Sequence, residues 1–98
     1  MADIVLNRTH NFPIDLAKTK LAKLVESFDR NNPGFVSNVV WEADGTAAAA
    51  TGKMFESKFK VTDNLLTVEV ELKGFAAKLA KGMATGRLEK TVSEEFPA

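Results

Sequence analysis

Between residues 55 and 72 the sequence alternates with a period of two. Phe55, Ser57, Phe59 and Val61 interleave with Glu56, Lys58 and Lys60. After Thr62-Asp63-Asn64-Leu65, Leu66, Val68, Val70 and Leu72 interleave with Thr67, Glu69, Glu71 and Lys73. Successive side chains of a β-strand point to opposite faces, so the two runs predict a hairpin with one apolar and one wet face. Lysines opposed to glutamates on the wet face can pair across the strands, each pair contributing about 0.2–1 kcal/mol.

Around this hairpin the period changes. Residues 3–9, with Ile4-Val5-Leu6 at their centre, predict a first strand that ends in the polar pair His10-Asn11. From Pro13 onward, Ile14, Ala17, Leu21, Leu24, Val25 and Phe28 recur at steps of three and four, with Lys18, Lys20, Lys23 and Glu26 on the other side. That spacing predicts an amphipathic helix. Pro13 suits its first turn, Asp15 complements the positive end of the helix dipole, and Asn31-Asn32-Pro33-Gly34 stops it. Residues 35–42 are β-branched and aromatic and predict a second strand, closed by the turn Ala43-Asp44-Gly45-Thr46. Ala47 to Ala50 favour a helix by propensity, yet four residues between Gly45 and Gly52 are too few for one, so they are expected in a weak strand. After Gly74, Ala76, Leu79, Ala80, Met83, Leu88 and Val92 predict one closing helix over 75–95. Gly82 and Gly86 each weaken it by about 1 kcal/mol relative to alanine, and their spacing suggests a close approach to the sheet or to a partner. The order β-α-β-β-β-β-α predicts a single α+β domain over residues 1–98, a mostly antiparallel sheet with two helices packed on one face.

Composition excludes several functions. Thirteen basic residues balance thirteen acidic ones, which speaks against a generic nucleic-acid binder. The chain has no cysteine, hence no disulfide, no thiol chemistry and no cysteine-held zinc. It contains no apolar run near the roughly 20 residues of a membrane span, and Met1-Ala2-Asp3-Ile4 does not open a secretory signal. A cytoplasmic protein without a transmembrane segment is expected.

Candidate chemistry is sparse. His10 is the only histidine, and no acid stands at a spacing that would orient it, so it is expected to bond a turn or the approaching helix. None of the four serines lies in a nucleophile elbow, and the carboxylates spell no calcium loop. Neither an enzyme, nor a metal site, nor a cofactor is expected. Trp41 reads either as core or, with Phe35, Phe55 and Phe59, as the lining of a ligand cavity between sheet and helices. The closing helix carries Lys78, Lys81, Arg87 and Lys90 early and Glu94-Glu95 late, the reverse of what the helix dipole favours. Those four bases, with Leu79 and Met83 should the helix turn outward, are candidates for contact with an anionic surface. Alternatively the lysines solvate the exposed face and pair with strand glutamates.

Ala2-Asp3-Ile4-Val5, His10-x-x-Pro13 before a Lys/Ala-rich helix, Trp41-Glu42-x-Asp44, Val68-Glu69-Val70-Glu71-Leu72 and Leu79-x-Lys81-Gly82 follow one another over nearly the whole chain. This ensemble resembles the polyhydroxyalkanoic acid system proteins, small bacterial proteins that occur with the machinery of polyester storage granules. The resemblance implies a non-catalytic accessory protein of polyhydroxyalkanoate metabolism, with the granule surface or a granule-associated protein as its partner, and it carries over no active-site residue. A small acyl- or hydroxyacid-binding module is the second expectation, and a homodimer through sheet edges or closing helices the third.

Overall fold

In the computed structural model, which describes residues 2–32 and 34–97, the elements run β1 (Ile4–Thr9), α1 (Ile14–Asn31), β2 (Asn38–Trp41), β3 (Ala47–Thr51), β4 (Phe55–Val61), β5 (Leu65–Leu72), α2 (Phe75–Leu79) and α3 (Lys81–Glu95). The strands form one antiparallel sheet in the order β1-β5-β4-β3-β2. β2 to β5 follow one another as hairpins, and β1 returns to the far edge beside β5. The fold is α+β, and a radius of gyration of 12.7 Å matches the ~13 Å of a folded 100-residue domain.

Register puts the apolar residues in rows across one face. One row is Leu6, Val68, Phe59, Ala48 and Trp41, and the next is Ile4, Val70, Ser57, Ala50 and Val39. The helices cover this face. The opposite face carries Lys58 facing Glu69, and Glu56 facing Glu71. Two glutamates directly opposed repel; Glu56 turns instead to Lys73, at 3.0 Å.

α1 buries Ala17, Leu21, Leu24 and Val25 against the sheet. Asp15 in its first turn and Arg30 in its last both agree with the dipole. The helix ends as Asn32 leaves helical angles at φ −130°, and Gly34 follows at φ +81°. Pro33, part of the expected stop, lies outside the described residues. Phe28 projects from the last turns of α1 and meets Phe55 and Phe59 edge-on, ring centroids 5.5 and 5.4 Å apart. Ser57, between those two on β4, is small enough to leave room for the ring, and its buried hydroxyl donates to the Ala50 carbonyl at 2.9 Å.

The alanine run is a strand. β3 is paired on both sides, so the ladder overrides the helical preference of alanine. Two other elements differ from expectation. The strand over 35–42 shrinks to β2, because the Phe35 amide donates to the Asn32 carbonyl and regular pairing with β3 starts at Asn38. The closing helix breaks at Ala80, whose ψ of 10° separates α2 from α3. Gly82 and Gly86 make no close approach to the sheet: a Cβ built on either meets nothing within 4 Å. By contrast, a Cβ on Gly52 would overlap the Phe35 carbonyl.

Gly86→Ala should therefore raise stability by about 0.5–1 kcal/mol, a Tm increase of several degrees, through helix propensity alone. Gly52→Ala should lower the Tm. Thermal melts of the two variants check both signs; a loss of stability in Gly86→Ala contradicts the open placement of that residue.

Candidate functional site

The covered face of the sheet is unevenly packed. Toward the His10 end, Phe59, Leu66, Val68, Val92 and Phe96 are fully buried. Toward the other end Ile4, Phe55, Val70 and Leu72 keep 5–8% of their surface exposed. That residual exposure opens onto a cavity of about 440 Å³ between the sheet and the helices, within the ~300–1,000 Å³ of ligand pockets.

Ile4, Val70, Leu72 and Phe55 make its floor, and Phe28, Asn31 and Asn32 of α1 and its C-cap make one wall. The other wall is Ala77, Ala80, Ala84 and Leu88. Phe35, Met54 and Met83 complete an apolar lining and are themselves exposed. Arg87, Lys90 and Glu94 supply charge along α3.

The cavity has a cause in the sequence. From Ala76 to Gly86 the residues that line the cavity are Ala77, Ala80, Met83 and Ala84, and only Ala77 is buried between Phe75 and Arg87. The three alanines are too short to reach the floor and Met83 stays largely exposed, so the space over Ile4, Val70 and Leu72 is left unfilled. Further along, Leu88, Thr91, Val92 and Phe96 are large enough to close it. Thr91 and Asn31 join the two walls through a 3.4 Å hydrogen bond, and the Thr91 hydroxyl donates to the Arg87 carbonyl at 2.9 Å.

Asp3 fastens the cavity at its sheet edge. One carboxylate oxygen accepts the Leu72 amide at 2.7 Å, and the other lies 3.4 Å from the Lys78 ammonium of α2. The Leu72 amide, with Lys78 adding to it, holds the Asp3 carboxyl below its ordinary range. Asp44, in the β2–β3 turn, is likewise lowered, because it accepts both the hydroxyl and the amide of Thr46.

The aromatic cavity expected around Trp41, Phe55 and Phe59 is corrected by this geometry. Phe55 alone of the three lines the cavity; Phe59 is sealed beneath α1, and Trp41 sits 40% exposed on the edge strand β2, so it is not a core residue either. The basic residues divide into two groups. Arg87 and Lys90 line the cavity, whereas Lys78 and Lys81 stand on the outer side of the segment with Leu79, which is 72% exposed. Met83 belongs to both, lining the cavity while remaining 67% exposed.

His10 is away from the cavity. Its Nδ1 accepts the Phe12 amide at 3.1 Å, which assigns the proton to Nε2, 2.8 Å from the Thr62 carbonyl. The ring packs between Phe12 and Phe96. Both nitrogens thus serve backbone groups in a turn and before the helix. Among the described residues, no three His, Asp or Glu side chains gather closely enough to hold a metal ion, and no helix is long and apolar enough to cross a membrane. Compared with protein-family models, curated proteins and solved structures, the chain matches none.

Ile4, Val70, Leu72, Ala77 and Ala84 were not among the residues expected at a site. Their signal was the absence of bulk along residues 76–86 opposite a fully apolar strand end.

A group whose folded pKa is depressed stabilises the fold above its unfolded pKa, and that stability fades as pH falls through the folded value. Stability should therefore decline below about pH 4. Asp3→Asn should lower stability at neutral pH and flatten this acid limb, leaving the part due to Asp44. Urea unfolding between pH 3 and 7 checks it; an unchanged limb removes the role given to Asp3.

Proposed function

We propose that this protein is a non-catalytic binding module that takes an acyl or hydroxyacyl chain into the cavity, with the carboxylate or thioester end toward Arg87 and Lys90. The cavity itself carries the reading: an apolar floor, a helical wall opened by alanines at 77, 80 and 84, and a charged rim in which Arg87 and Lys90 outnumber Glu94. Such a site suits a molecule with an apolar tail and a polar or anionic end. The Thr91 hydroxyl in the lining is committed to the Arg87 carbonyl. The resemblance to polyhydroxyalkanoic acid system proteins supports hydroxyacyl units as the ligand class and a role as a cytoplasmic accessory of polyester storage metabolism.

Calorimetric titration with 3-hydroxy acids of increasing chain length tests the reading. Each methylene buried should tighten binding roughly fourfold until the cavity is full. Ala84→Leu, which puts bulk into the space, should weaken binding at least about tenfold while the protein stays folded. Arg87→Gln should weaken the acid more than the corresponding alcohol. The fluorescence of Trp41 should not respond, since β2 lies away from the cavity. Affinity that is flat with chain length, or indifferent to Ala84→Leu, contradicts the proposal.

A further inference from the structure

Phe75, Leu79 and Met83 are the three most exposed large apolar side chains among the described residues, at 79%, 72% and 67%. They recur every four residues across the break at Ala80 and protrude from two successive helices. Exposed apolar groups gathered in this way mark a contact surface. The segment's own charged side chains have one sign, with Asp3 of the sheet edge beside Lys78 and Lys81. No acid occurs from Lys73 to Leu88, while Lys73, Lys78, Lys81 and Arg87 do. Lys73 and Lys78 have carboxylate partners in Glu56 and Asp3. Among the described residues no carboxylate lies within ion-pair distance of Lys81, Arg87 or Lys90.

We propose that the α2–α3 segment docks on the anionic headgroup layer of a phospholipid surface, with Phe75, Leu79 and Met83 inserted among the lipids and Lys81 against the phosphates. Protruding apolar side chains bordered by long cationic ones suit a soft anionic layer, into which the former sink while the latter reach back to the headgroups. A second copy fits less well. A two-fold contact brings each surface against its own image and would gather the like charges of Lys78 and Lys81 from both copies. Met83 also lines the cavity, so a docked segment would hold the cavity beside the lipid layer. Docking and ligand binding remain separable, because Phe75, Leu79 and Lys81 do not line the cavity.

The test is co-sedimentation of the full chain with vesicles, comparing phosphatidylcholine alone with a phosphatidylglycerol–phosphatidylcholine mixture. The protein should pellet with the anionic vesicles at low salt, be released as salt rises, and ignore the neutral ones. Lys81→Glu should lower the partition coefficient roughly fivefold or more. The double variant Phe75→Ser and Leu79→Ser should abolish pelleting; both positions are exposed, and an unchanged thermal melt confirms its fold. The same double variant should retain chain-length-dependent binding of 3-hydroxy acids, so failure at the vesicle and failure at the cavity are told apart. No pelleting with anionic vesicles, or pelleting indifferent to the serine substitutions, overturns the proposal. So does a lipid-free dimer in sedimentation velocity that the double variant dissolves, which would assign the surface to a second copy.

Discussion

The β4–β5 hairpin presents one continuous apolar face, and the rest of the chain is arranged to cover it. Each large apolar side chain taken out of water there contributes about 1.5–3 kcal/mol, so covering the face dominates the arrangement of the helices. α1 covers the centre, with Phe28 against Phe55 and Phe59. The end of α3 covers the other side, where Val92 and Phe96 are fully buried and Arg8 holds the Phe96 carbonyl at 2.9 Å. Between them, α2 and the first half of α3 bring mainly alanines over the sheet, with Met83 left largely exposed. The cavity is the part of the hairpin face that these helices pass over without filling.

Much of the fold was legible because period is a local property. The alternation over 55–72 and the three-four spacing from Ile14 to Phe28 each name an element from side chains alone, and the register later confirmed which residues share a face. The break at Ala80 was not legible. Alanine is a strong helix former, and Leu79-Ala80-Lys81 carries no local stop signal. Trp41 misled for a related reason. It shares a row with Ala48, Phe59, Val68 and Leu6, yet β2 is the edge strand and the side chain stays 40% exposed. Strand order, which no single run of residues encodes, decided its exposure.

The same distinction separates the two proposed surfaces. Lys78, Lys81, Arg87 and Lys90 stood out in the sequence because their order opposes the helix dipole. What the sequence did not divide is which of them look inward. Arg87 and Lys90 turn to the cavity, whereas Lys81 and the apolar Phe75 and Leu79 face outward. A cavity is harder to read than a charge pattern, since it is made by the absence of atoms. Here its trace was alanine at 77, 80 and 84, where a closing helix ordinarily carries leucine.

The central claim is that an apolar chain lies on the floor made by Ile4, Val70 and Leu72. Isotope-filtered nuclear Overhauser spectra of the labelled protein with an unlabelled medium-chain 3-hydroxy acid test it directly. Cross-peaks from the ligand's methylenes to the methyl groups of Ile4, Val70, Leu72 and Ala84, and none to those of Val61 or Leu66, are predicted. Cross-peaks confined to Val39, Val40 and the Trp41 ring, or no cross-peaks with a saturating ligand, would contradict it.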